Sequence, residues 1–339
     1  MGGKNLENIA AANEKYHSSM GNAAAGKAHE AQKGKALAGN IASANNSYYT
    51  SKGNAIYSDF STFAQGSAIA TANAIEFARD FSGRQGELDV CEYGIGNGNF
   101  ANVFLAKLQQ LSPFLYARTR YHLFDLSEKM LADAEKSLAA HASRCSFCIF
   151  DAAFESPSLP FDYCRINELL SDLPAELYTR KGAKIFREDG KEVSSPAPIA
   201  VRLLGLLDAG RAIPFSFTAE KFLSSLCACG KQGFRVDIFD YGFYFADDIT
   251  LLPAEEWNRV IVRKYGSQIT VDLNFLQLSS ALAARGFSAQ VEMQRAYCER
   301  ALGMPLELRQ TARGLDYARK KEDDGISEDD GFYHLRAEG

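Results

Sequence analysis

The chain has 339 residues and a formal net charge of −5, with 46% hydrophobic and 12% aromatic residues. That composition can fill a sizeable core and excludes global disorder, and the acidic balance argues against nucleic acid as the main partner. No run approaches the ~18 apolar residues of a membrane-spanning helix, so no membrane partner is expected.

The length suits one large α/β domain with insertions, or two domains. The start of the chain lacks an apolar leader and carries Glu7, Glu14 and Glu30 with no Arg before Arg79, unlike a signal or transit peptide, so a cytoplasmic location is expected. Seven cysteines form an odd set, and Cys91, Cys148 and Cys164 sit in apolar runs, as reduced buried thiols do. Cys145 and Cys148 are spaced as a metal-ligand pair, but no second pair or histidine cluster accompanies them, so no metal is expected.

In chain order, residues 1–47 are rich in Ala, Gly, Asn and Lys and read as a low-complexity extension or a lid, ordered from about 43 onward. Tyr48 and Tyr49 would then contribute aromatic contacts over a ligand, and the Ala-rich start offers a surface for a homodimer. The first strand falls at 88–92, and Gly94, Gly96 and Gly98 follow it. Phe100, Val103, Phe104 and Leu108 then have helical spacing over 100–110, so the glycines occupy a strand-to-helix turn. Backbone without Cβ can approach a ligand closely there, in the context that makes a Gly-rich turn a nucleotide site.

The spacing is neither that of a dinucleotide loop (G-x-G-x-x-G) nor that of a phosphate loop, which needs Gly-Lys-Ser/Thr. Glu92, two residues before the first glycine, is unhelpful beside a pyrophosphate and suits a cationic ligand. S-adenosylmethionine carries a sulfonium, an ammonium group and no phosphate, and the turn looks like motif I of class I methyltransferases. The alternative is a Gly-rich turn without a ligand.

Further strands are predicted at 121–125, ending in Asp125; at 146–150, ending before Asp151; at 162–166, ending before Asn167-Glu168; and at 234–239, ending before Asp240-Tyr241-Gly242. A helix is expected over 128–140 and another over 219–227. This alternation predicts a doubly wound parallel sheet with ligands at the carboxyl ends of its strands, each of which terminates in or beside an acid. Asp125 is expected to accept from the ribose hydroxyls, and Asp151, followed by Ala152, from the adenine amino group. Glu92 would meet the methionine ammonium directly or through water. For any single acid the alternative is a helix cap or loop carboxylate.

Two segments interrupt the alternation. Residues 178–233 contain a hairpin turn at Asp189-Gly190, and 257–274 read as a second hairpin around Tyr265-Gly266-Ser267. Both are expected over the ligand edge, where they would build the substrate pocket. The domain reading is therefore a cofactor core at 48–177, an insertion at 178–233, the rest of the core at 234–303, and a polar acidic tail at 304–339.

From Tyr48 to Gly303 the chain resembles the MidA-like (DUF185) class I methyltransferases. Tyr48-Tyr49-Thr50-Ser51 and Asp59-Phe60-Ser61-Thr62 resemble the family's Y-Y-T-S and G-D-F-x-T, and Glu92 to Gly98 its E-x-G-x-G-x-G. Asp125-Leu126-Ser127 resembles E-V-S, Asn167-Glu168 through Pro174 resembles N-E-x-x-D-x-L-P, and Asp240-Tyr241-Gly242 matches D-Y-G. Gln268-Ile269-Thr270 stands where the family has D-I-T, and Ser171-Asp172 shifts the family's Asp by one place. The resemblance implies a Rossmann-like fold, S-adenosylmethionine as cofactor, and cofactor contacts from Tyr49, Leu126 and Asn167 in addition to the glycines and acids above. Mitochondrial members of that family are complex I assembly factors that methylate an arginine, which implies an arginine-containing protein or a small guanidino compound as partner.

A guanidinium must be gripped by carboxylates in a bidentate fork, because no side chain deprotonates it outright. Glu168 is the first candidate for that grip and Asp172 the second, with Asp240 and Tyr241 closing the pocket. A helix-start acid pair is the structural alternative for Glu168 and Asp172. Methylation of another small metabolite, or a cofactor-binding assembly factor without turnover, are the competing functions.

Overall fold

The computed structural model describes residues 37–182, 184–193, 210–312, 314–321 and 331–339. The extension through residue 36, residues 194–209 of the first insertion and the acidic runs at 322–324 and 328–330 lie outside them.

The core is one sheet in the order β12-β15-β8-β4-β1-β2-β3, where β1 is Leu88–Tyr93, β2 Thr119–Asp125, β3 Cys145–Ile149, β4 Phe161–Asn167, β8 Gly230–Phe243, β12 Ser288–Met293 and β15 Phe332–Glu338. β3, β2, β1, β4 and β8 run parallel. β15 lies between β8 and β12 and runs antiparallel to both. Each residue of β1 is buried, as expected of a parallel strand covered on both faces.

Helices α1 (Leu37–Lys52), α2 (Ala68–Asp80), α3 (Asn99–Leu111), α4 (Pro113–Arg118), α5 (Glu128–Ser137) and α6 (Phe217–Ala228) fall in the first two thirds of the chain. α7 (Ala246–Thr250), α8 (Ala254–Val260), α9 (Phe275–Ala284) and α10 (Gln294–Leu302) complete the set among the described residues. α3 buries Phe100, Ala101, Phe104, Leu105 and Leu108 against the sheet, each large side chain contributing ~1.5–3 kcal/mol. α5 begins at Ser127, whose side chain accepts from the Met130 amide, so the chain turns sharply after Asp125 and leaves that carboxylate at the rim.

The expected strands are present, with β8 extended at both ends. The tail expected at 304–339 is a correction. Leu306–Thr311 (β13) and Gly314–Arg319 (β14) form a hairpin, and β15 completes the sheet. β15 eludes a sequence reading because its polar residues find their partners across the sheet and on α2. His334 bonds Asp237 (3.0 Å) and Glu292 (3.1 Å), and Arg336 pairs with Asp237 and Glu76.

The first insertion forms a small sheet of β5 (Glu176–Lys181), β6 (Lys184–Arg187) and β7 (Ile213–Phe215). The Asp189-Gly190 turn is present, but it links β6 to a bridge at Glu192 rather than joining β5 to β6. In the second insertion Trp257 belongs to α8, and the hairpin is Val262–Tyr265 (β9) with Gln268–Val271 (β10). The short β11 (Leu273–Asn274) then pairs in parallel with β8. All seven cysteines are free thiols.

Candidate active site

At the carboxyl ends of β1 to β4 the chain encloses a cleft of about 1180 Å³, counting the space open to solvent. Its floor is Gly94, Gly96, Asp125, Leu126, Asp151, Ala152, Asn167 and Glu168, and α1 with the segment after it supplies the roof. This is the crevice beside the switch from β1 to β4, where an open α/β sheet binds ligands.

The roof is tied down at several points. Asn46 donates to Asp151 (3.2 Å), Ser127 Oγ to the Tyr49 carbonyl (3.0 Å), and Asn45 to the carbonyls of Asp172 (2.8 Å) and Ile269 (2.7 Å). The Tyr49 hydroxyl donates to Asp172. A lid expected from about residue 43 thus begins earlier, with α1.

Asp125 accepts from the amides of Gly96 (3.0 Å) and Ser127 (2.9 Å), and burial pushes its carboxyl up to about 6. One carboxylate therefore fixes the glycine turn and retains lone pairs for a ligand. Asp151 accepts from the Ala153 amide (2.9 Å). Gly94 and Gly96 have φ of +72° and +54°, and a Cβ at Gly96 would lie 2.3 Å from the Tyr57 hydroxyl. Tyr57 accepts from the Asn97 amide (3.2 Å), which makes it a strut of the turn.

Glu168 takes φ +47°, the only non-glycine in the left-handed region among the described residues. Such a conformation persists where the surroundings over-determine it. Its amide donates to the Phe239 carbonyl, and its carboxylate accepts from the Phe63 amide, both at 2.8 Å. The C-terminal hairpin supports that contact: Leu315 donates to the Thr62 carbonyl (3.0 Å), and Asp316 accepts from the amides of Ser67 and Ala68 at the start of α2 (3.0 Å each). Burial pushes Glu168 up to about 7 and Asp172 up to about 6.

Three expected site residues do not line the cleft. Glu92 points to the α3 face of the sheet, because side chains alternate along β1 and Leu88 and Val90 share that face. There it is 2% exposed, ion-paired with Arg165 and accepts from the Tyr121 hydroxyl (2.7 Å), while the Arg165 guanidinium lies 3.8 Å from the Phe100 ring centroid. Glu92→Ala is therefore expected to cost ~3–5 kcal/mol by stranding the Arg165 charge. Denaturant unfolding checks this, and a Glu92→Leu/Arg165→Met pair should recover most of the loss. A Glu92→Gln variant with wild-type stability and no cofactor binding would restore the ammonium role instead.

Gly98 caps the start of α3 at φ +75°, where a Cβ would meet Ala134 of α5 at 2.9 Å. Asp240 lies inside β8 rather than at its end and is fully buried. It accepts from the amides of Leu170 (3.0 Å), Ser171 (3.1 Å) and Tyr241 (2.9 Å), and burial pushes it up to about 8. Asp240 thus holds the turn that presents Asp172 and is a positioning residue. In the same motif Tyr241 does reach the cleft, its hydroxyl bonded to Thr270, and Gly242 leaves room for β11, whose Leu273 carbonyl would lie 2.1 Å from a Cβ.

The structure adds Asn46, Tyr57, Phe124, Tyr265 and Gln268 to the lining. The only signal for Tyr57 is the density of aromatics between 48 and 63, in a segment of otherwise loop-like composition. No described residue of 178–233 lines the cleft, contrary to the expectation for the first insertion.

Four carboxylates line the cleft, from Asp125, Asp151, Glu168 and Asp172, and among the described residues no Lys, Arg or His does. A phosphate-bearing nucleotide finds no counter-charge there, whereas a sulfonium with an ammonium group does. With the glycine turn, the rim acids and the buried, unpartnered Asn167 Oδ1, these residues fit S-adenosylmethionine.

Over residues 72–293 the chain matches the profile of a family described as "Putative S-adenosyl-L-methionine-dependent methyltransferase". Two crystal structures from Burkholderia thailandensis share the fold. One, bound to S-adenosyl-homocysteine, is 17% identical with a TM-score of 0.62, covering 100% of this chain and 94% of its own. The other, a native structure, is 15% identical with the same TM-score and the same coverage. No curated protein matches the chain.

Proposed function

The chain belongs to this S-adenosyl-L-methionine-dependent methyltransferase family, and from that premise we propose that it methylates a guanidino nitrogen, of arginine in a protein or of a small arginine-like compound. The observation that carries the reading is the charge of the cleft: four carboxylates and no basic side chain among the described residues. Two of those acids, Asp125 at the end of β2 and Asp151 just after β3, suit the nucleoside. Asn167 Oδ1 takes the ammonium role first expected of Glu92. Glu168 and Asp172 then remain for a cationic acceptor.

When bound, S-adenosylmethionine supplies an electrophilic methyl group on sulfur. The chain's own residues do the rest. Glu168 and Asp172 hold the guanidinium and orient one nitrogen toward the cofactor side, and proximity provides most of the acceleration. The acceptor nitrogen loses one proton for each methyl gained. Glu168, pushed up to about 7, is matched to take that proton near neutral pH. The roof from α1 excludes water.

Incubation with methyl-labelled cofactor, free arginine and a panel of arginine peptides tests the proposal. Label on a guanidino nitrogen supports it, and peptide against free arginine tells protein from metabolite. Transfer only to acceptors without a guanidino group overturns it, and tight cofactor binding without any transfer points to a non-catalytic assembly factor.

A further inference from the structure

Two oxygen atoms in the hairpin wall of the cleft are buried without a hydrogen-bond partner, the Tyr265 hydroxyl and Gln268 Oε1. Tyr265 is 9% and Gln268 3% exposed. The two residues face each other across the β9–β10 register, so their side chains stand on one face of the hairpin. Gln268 Nε2 donates to Asp172 Oδ1 and to the Tyr49 hydroxyl, both at 2.9 Å, which sets the amide and leaves Oε1 as the unused end. Phe60 packs on the Tyr265 ring with centroids 5.3 Å apart and holds it in place.

A buried polar atom without a partner is costly, and Phe in place of Tyr265 would remove that cost with no hydrogen bond lost. The arrangement makes sense when a ligand brings N–H groups to it. We infer that Tyr265 and Gln268 are acceptor-specificity residues, whose free oxygens receive N–H groups of the guanidino head held by Glu168 and Asp172. This rests on the guanidino reading above and deepens it. The carboxylates by themselves accept any cation. A guanidinium offers five N–H donors in a rigid plane and an ammonium three around a point, so neutral oxygens beside the carboxylates select the planar head. Gln268 has a second duty, since its Nε2 orients Asp172.

Calorimetric titration of the S-adenosylhomocysteine-loaded protein with arginine amide and with lysine amide tests the inference. Wild type is expected to prefer arginine amide. Tyr265→Phe should weaken arginine amide about tenfold, leave lysine amide nearly unchanged and leave S-adenosylhomocysteine affinity intact, whereas Gln268→Leu, which also strips Asp172 of the Nε2 donor, should weaken both amides and arginine amide the more. Tyr265→Phe deletes a hydroxyl that has no partner in the free protein, so its Tm should not fall. A Tm loss that accompanies the affinity loss would mark a structural role and overturn the assignment, as would retained preference in this variant. Should Gln268→Leu fail to fold, Tyr265→Phe decides. Wild type that does not bind arginine amide overturns the guanidino reading and this inference with it, whereas wild type that binds with unaltered variants overturns this inference alone.

Discussion

Replacing Glu168 by Gln is expected to cut kcat/KM for a guanidino acceptor by at least about 100-fold, the scale of removing one charge partner from an enclosed pair. The change keeps the shape of the side chain and its ability to accept from the Phe63 amide, so S-adenosylhomocysteine affinity should stay at the wild-type level. Turnover that survives would sink the guanidinium grip. The pH dependence gives a second readout. Burial raises the Glu168 carboxyl from 4.5 to about 7, so the native state keeps a proton that the unfolded chain releases across that window. Stability of the wild type therefore falls as pH rises from about 4.5 to about 7 on account of this group. Gln removes that contribution, and the Tm of the variant relative to wild type should climb over the same window. Wild-type kcat/KM should rise through it as the carboxylate forms. Asp172 and Asp240 are raised in the same sense, so it is the difference between wild type and variant that isolates Glu168.

Gly96→Val should remove at least about 100-fold of cofactor affinity, because a branched residue at φ +54° is strained and its Cβ enters the space of the Tyr57 hydroxyl, 2.3 Å away. The sequence suggests that the ligand itself fills the room beside this glycine, and the structure puts a protein hydroxyl there. The distinction is testable with a smaller substituent. Gly96→Ala should also weaken binding, and Gly96→Ala/Tyr57→Phe should regain part of it, since the clash then loses its oxygen. Titration with S-adenosylhomocysteine reads each variant. Unchanged affinity in Gly96→Val would remove the glycine turn from the cofactor site.

The fate of the five strand-end acids shows how far linear sequence reaches. Asp125, Asp151 and Glu168 line the cleft as expected, each just where its strand gives way to a turn. Glu92 and Asp240 carry the same local signal and go elsewhere. Glu92 lies one residue short of the strand end, so the two-residue alternation of β1 turns it under α3 toward Arg165. Asp240 is followed by three more strand residues because β11 and β15 extend the pairing of β8, and it serves the turn before Asp172 instead. The aromatic-rich segment that roofs the cleft could be read as a lid, but not the contacts that hold it there.

Local periodicity, the Gly94–Gly96–Gly98 spacing and the acids at the rim were enough to determine a Rossmann-like sheet, its cofactor and the sheet edge that carries the cleft, because each depends on residues within one strand-turn-helix unit. Tertiary structure alone decided two strands of the main row, β12 and β15, the inward turn of Glu92 and Asp240, and the meeting of Tyr49, Asp172 and Gln268 in one wall. Those features depend on partners up to 260 residues apart, as Arg336 of β15 is from Glu76, and on which face of a strand is already covered. A buried charge or amide takes its role from the partner it finds, and that partner is set by packing.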